Sequence, residues 1–208
     1  MKFSALLVTV GELPLFRSSF LLAGDRDPAD VRRQLDRWTR AGRVVQLRRN
    51  VYALAPPWRR VEPHPFVIAN TLQQPSCVSL QSALAHHGLI PEAVPVTTSV
   101  TTGRPVRCST ALGDYMYRHL APRAFYGYRE TPVLRDQVAL VATPAKALLD
   151  LVYLTPGGDA PGYLESLRLG DLDAVPARAL RECARRWDKP KVHRAVDRLL
   201  AMKRSARR

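Results

Sequence analysis

The feature that most constrains this chain is a helix with clearly marked ends, followed at once by a tight hairpin. Asp27-Pro28 opens the helix. Aspartate is a good N-cap, proline suits the first helical position, and Asp30 falls in the first turn near the positive end of the dipole. Val31, Leu35 and Trp38 recur at i, i+4 and i+7, so one face is buried. Gly42 ends the helix. Val44–Leu47 and Val51–Ala55 then read as strands joined by Arg48-Arg49-Asn50.

Upstream, Lys2–Val10 is a candidate first helix. Leu13–Ala23 is a second, with Leu15, Phe16, Phe20 and Leu21 as its stripe and Gly24 as its stop. Helix, helix, helix, hairpin is the order of a winged helix-turn-helix, which we place at residues 1–57. A proline-rich stretch, Pro56-Pro57 through Pro63 and Pro65, follows as a stiff joint.

Residues 58–208 read as a second domain of mixed α+β type. Phe66–Gln73 and Val78–His87 are expected helices, the latter stopped by Gly88. Val96–Thr102, Tyr115–Leu120 and Val133–Val141 are expected strands. Pro144–Leu154, Leu180–Trp187 and Lys191–Lys203 return to helical spacing. The fold class is therefore α+β, a winged helix-turn-helix followed by a mixed α+β domain.

Charge narrows the partners. Thirty-two Lys and Arg against eighteen acids give +14. Residues 1–60 hold twelve basic and five acidic side chains, residues 61–160 seven of each, and residues 161–208 thirteen and six. Two positive surfaces thus flank a neutral middle, and a polyanion is the expected partner. On the helix from Asp27, Arg32, Arg33, Arg37 and Arg40 fall outside the buried stripe. Apolar behind and guanidinium in front is the division a major-groove helix needs. Arg43, Arg48 and Arg49 place further charge at the hairpin. Near the C-terminus Lys191, Arg194 and Arg198 share a face opposite Val192, Val196 and Leu199, a candidate second phosphate contact, with Arg207 and Arg208 beyond. These ten, Arg32 to Arg49 and Lys191 to Arg198, are the expected DNA-binding residues.

Other motifs point away from catalysis. Ser79, Ser82, His86 and His87 invite a nucleophile–base reading, but Ser82 and His86 lie four apart on a helix, and packing is the expected role. Lys146 and Asp150 have the spacing of a helical ion pair. Gly157-Gly158 and Asp171-Leu172-Asp173 resemble parts of a nucleotidyltransferase site but are out of context, the Gly pair following a helix and the acids lying in a loop. Cys77, Cys108 and Cys183 lack metal or disulfide spacing and fit a reducing cytoplasm. No apolar run approaches the roughly 18–20 residues that span a bilayer. We expect no catalytic residues, metal, cofactor or membrane partner.

Three blocks resemble a known family. LDRWTRAGRVVQLRRNVYAL (Leu35–Leu54), VSLQSALAHHGLI (Val78–Ile90) and TPAKALLDLVY (Thr143–Tyr153) are similar, in that order, to the AbiEi antitoxins of type IV toxin–antitoxin systems. Asn50 stands where the family's wing turn usually has Gly, and Ala145 where it usually has Glu. The resemblance implies a winged helix that binds inverted repeats in double-stranded DNA of its own promoter and represses the operon. It also implies a second domain that opposes a nucleotidyltransferase-like toxin, often without a stable complex. A winged-helix regulator unconnected to any toxin is the alternative.

Overall fold

The structure, a computed structural model, describes residues 1–22, 26–92, 94–170 and 172–205. It is a mixed α+β fold with two sheets. Helix α1 (Phe3–Val10) leads to a two-residue strand β1 (Phe16–Arg17) and a 3-10 turn (Ser18–Leu22). Then come α2 (Pro28–Arg40) and the hairpin β2 (Val44–Arg48) and β3 (Val51–Leu54). The Asp27 carboxylate accepts the Ala29 amide at 2.8 Å, the cap expected of it. Asn50 closes the hairpin turn at φ 67°, a left-handed value that asparagine tolerates.

The helix expected over Leu13–Ala23 is not formed. Phe16 pairs instead with Tyr52 in the order β1-β3-β2, and the two rings stack at 5.8 Å. Tertiary pairing outweighs the local helical spacing, and only the short turn remains. Leu21 of that turn is buried, whereas Phe20 is 54% exposed. Gly24 lies outside the described residues.

Helix α3 (Pro65–Leu72) begins the larger unit, with β4 (Ser76–Val78), α4 (Leu80–His86) and β5 (Val96–Thr101) after it. Next are β6 (Val106–Thr110), β7 (Gly113–His119), β8 (Tyr128–Leu134) and β9 (Gln137–Ala142). Helices α5 (Pro144–Leu154), α6 (Pro161–Ser166), α7 (Ala177–Trp187) and α8 (Pro190–Ser205) close the chain. The sheet order is β6-β7-β5-β4-β9-β8, with β5/β7 and β4/β9 parallel and the other pairs antiparallel.

Alternation along β7 shows what covers the sheet. The Tyr117 hydroxyl donates to the Ala69 carbonyl of α3 at 2.7 Å, and the next residue, Arg118, donates to the Leu154 carbonyl at the end of α5 at 2.9 Å. Successive strand residues face opposite sides, so the sheet lies between α3 and α5. The strand expected over Val133–Val141 is in fact the β8–β9 hairpin, turning at Arg135-Asp136.

Two apolar clusters form. Leu6, Phe16, Leu35, Trp38 and Tyr52 anchor the first, and the second fills the larger unit. Leu47 and Val51 of the hairpin belong to the second cluster, so the turn end of the hairpin is packed onto the larger unit. The proline-rich joint also packs back, with Trp58 edge-on to Phe3 at 5.4 Å and Arg60 paired with Glu12 at 2.8 Å. Among the described residues no helix is long and apolar enough to cross a membrane.

Candidate nucleic-acid interface

Helix α2 divides as its sequence predicts. Val31, Leu35 and Trp38 are buried, and Arg32, Arg33, Arg37 and Arg40 are exposed. Arg33 is paired with Asp30 and Arg37 donates to Gln34 at 2.6 Å, both within the helix. Arg32 and Arg40 hold no ion pair or hydrogen bond among the described residues. The Arg33 and Arg37 contacts are exposed to solvent, so a phosphate or guanine edge can displace them. A shallow cleft lined by Ser18, Pro28, Arg32, Asn50 and Tyr52 separates the helix from the 3-10 turn and the hairpin.

The three hairpin arginines diverge. Arg49 sits exposed at the turn. Arg43 lies over the Phe3 ring at 5.1 Å and near Trp58 at 6.0 Å, a cation–π arrangement on the α1 side. Arg48 donates to the Leu72 carbonyl at 2.5 Å and to Gln73 Oε1 at 2.9 Å. Its guanidinium is committed to the second unit.

The C-terminal trio makes contacts within the protein, although Arg194 stays 55% exposed. The Lys191 ammonium donates to the carbonyls of Tyr153, at 3.1 Å, and Thr155, capping the end of α5. Arg194 pairs with Asp159 at 2.8 Å, and Arg198 donates to the carbonyl of the same residue. That salt bridge, with the neighbouring guanidinium charges, holds the Asp159 carboxyl below its ordinary range. The expected free face of α8 is therefore a clasp onto the loop after α5, and its partner, 35 residues upstream, is invisible to helical periodicity. Arg207 and Arg208 lie outside the described residues.

Sequence reasoning overlooked another stripe. Arg178, Arg181 and Arg185 on α7 are exposed and hold no ion pair or hydrogen bond among the described residues, while Leu180, Ala184 and Trp187 are buried behind them. Their three-to-four spacing was legible. The denser charge run beyond Lys189 stands out more in the sequence.

The catalytic-looking motifs resolve into packing. Ser82 accepts the Thr98 amide at 2.8 Å and stitches α4 to β5, and His86 packs against Phe66 and His87 instead of meeting it. Ser79 is the serine that meets an acid, donating to Asp150 at 2.8 Å with no exposed surface. Lys146 pairs with the same carboxylate, and both charges are buried, so neither presents a surface to a toxin or to DNA. Burial pushes the Asp150 carboxyl upward, against the Lys146 charge and the hydrogen bonds from Lys146 and Ser79. Ala145 is buried beside them. Gly157 and Gly158 form a turn after α5, and Leu172–Ala174 is a 3-10 turn. Asp171 lies outside the described residues. Among the described residues no cluster of His, Cys, Asp or Glu is suited to a metal.

No protein-family model matches this chain, and no curated protein matches it. Among solved structures, the crystal structure of the RV2827C protein from Mycobacterium tuberculosis is similar, with a TM-score of 0.42 and 16% identity, covering 95% of this chain and 80% of that one.

Proposed function

We propose that residues 1–57 are a winged helix-turn-helix that binds double-stranded DNA, with α2 as its recognition helix. One observation carries this reading. The buried stripe of α2 is opposed by four exposed arginines, beside an exposed hairpin turn carrying Arg49. Arginine presents a rigid fork that matches two acceptors on guanine or holds a phosphate, and its charge does not titrate away. Arg32 and Arg33 lie in the N-terminal half of α2, the part of a recognition helix that reaches base edges. The 3-10 turn takes the place of the helix that crosses the backbone.

With the three blocks that resemble AbiEi, this reading extends to a cytoplasmic antitoxin without catalytic site or cofactor. It represses its own operon and opposes a nucleotidyltransferase-like toxin. The test has two arms. The protein should shift a duplex from upstream of its own gene, and Arg32→Ala with Arg33→Ala should weaken that shift at least tenfold. An unchanged affinity would remove α2 as the reading element. Coexpression with an adjacent nucleotidyltransferase-like gene product should restore growth, and a failure to rescue would leave a plain transcriptional regulator.

A further inference from the structure

We infer that Arg17 and Arg48 form a latch that fixes the N-terminal unit at one angle to the larger domain, and that they position the unit instead of touching DNA. The two residues come from opposite edges of the small sheet, and both pair opposite Val51. Arg17, Val51 and Arg48 therefore make one row across three strands. Val51 is buried in the core of the larger unit, and a guanidinium stands on either side of it.

Both guanidinium groups reach the C-terminal end of α3. Arg17 donates to the Thr71 carbonyl and to Gln74 Oε1, each at 3.0 Å. Arg48 does the same one residue apart, to Leu72 and Gln73. Each arginine thus takes one main-chain and one side-chain acceptor. The last carbonyls of a helix have no partner within it, and that end of the dipole favours cations. Gln73 leaves α3 in extended backbone, so no left-handed cap answers these carbonyls from the chain itself. The arginines supply what a glycine cap supplies elsewhere, and in doing so they cross-link two units 24 to 57 residues apart in sequence.

The latch is a matter of protein geometry. Only its consequence for operator binding rests on the DNA-binding reading. Two variants of the full chain test it. Arg17→Ala with Arg48→Ala removes the donors, and Gln73→Ala with Gln74→Ala removes half of the acceptors without altering any cation. Both should keep native far-ultraviolet circular dichroism, exchange amide hydrogens at residues 71–76 at least tenfold faster, and be cut faster in the 56–65 joint. If the arginine variant fails to fold, the glutamine variant carries the test. Unchanged exchange and cleavage would overturn the latch whether or not the protein binds DNA. In DNA titrations both variants should keep the wild-type slope of log K against log salt. A slope smaller by about 2 in the arginine variant alone would make these residues phosphate contacts and overturn the positioning role.

Discussion

Lys146 and Asp150 face each other across one turn of α5 with 1% and 0% of their side chains exposed. Ser79 joins them from the β4–α4 junction, and the Lys146 ammonium lies over the rings of Tyr126 and Trp187 at 5.1 and 5.2 Å. Taking two charges out of water costs several kcal/mol each, which close pairing and further hydrogen bonds offset. Removing one partner strands the other. Lys146→Met and Asp150→Leu should each lower unfolding free energy by about 3–5 kcal/mol, while the two combined should lose less than either. Urea denaturation of the three variants measures this, and an additive double variant would count against a coupled pair.

A second prediction concerns acid. The Nδ1 atom of His64 accepts the Phe66 amide at 3.1 Å, capping the start of α3. Burial, followed by the nearby His86, depresses the His64 pKa below its ordinary 6.5, and burial does the same for His86. A protonated ring cannot accept that bond. The unfolded chain binds the proton more readily, so these two groups contribute stability above about pH 6.5 and lose it as pH falls toward their folded values. Asparagine caps helices without titrating. His64→Asn should therefore flatten the fall in the urea midpoint between pH 7 and 5.5, and a profile parallel to wild type would refute the cap.

The two C-terminal helices differ in what they can offer a polyanion. If α7 meets phosphate, Arg178→Ala, Arg181→Ala and Arg185→Ala together should reduce the salt slope of DNA binding by up to about 3. Arg194→Ala should change it less, since that side chain is paired with Asp159 whereas those of α7 hold no partner among the described residues. Its cost should appear in thermal stability. The reverse pattern would restore α8 as the contact.

At the hairpin turn, Asn50 holds φ 67°. Glycine adopts this conformation freely, whereas a β-branched side chain strains it by about 1–2 kcal/mol. Asn50→Gly should leave the melting temperature unchanged or raise it, and Asn50→Val should lower it. Equal effects would mean that the turn does not depend on backbone strain.

Much of this fold is legible where a local rule decides. Asp27-Pro28 and Gly42 bracket α2 because capping and breaking are properties of a few adjacent residues. Legibility fails where distant residues decide. Phe16 is drawn into a strand by Tyr52, and Arg135-Asp136 splits an apparently continuous strand into a hairpin. Val106–Thr110 does alternate, with Val106 and Cys108 half-buried beside exposed Arg107 and Ser109, but it is short and weakly apolar, and β7 offers it the edge it pairs with. The same divide runs through the candidate site. The outward arginines of α2 follow from periodicity, but nothing local reveals that Arg48 ends on α3 or that Arg194 ends on Asp159. The second and third resembling blocks meet in the core through Ser79 and Asp150, so those motifs record packing.

The bonded cations have one more consequence. Arg17, Arg48 and Lys191 donate to neutral oxygens, so each keeps its full positive charge while two of its donors are taken up within the protein. At a distance a polyanion responds to the net +14, bonded cations included, because the far field depends only on charge. At contact it competes for the donors that these side chains have already given, and bonds most readily where none has been given. Encounter rate and residence time are thus governed by different residues, and a substitution can change one while leaving the other intact.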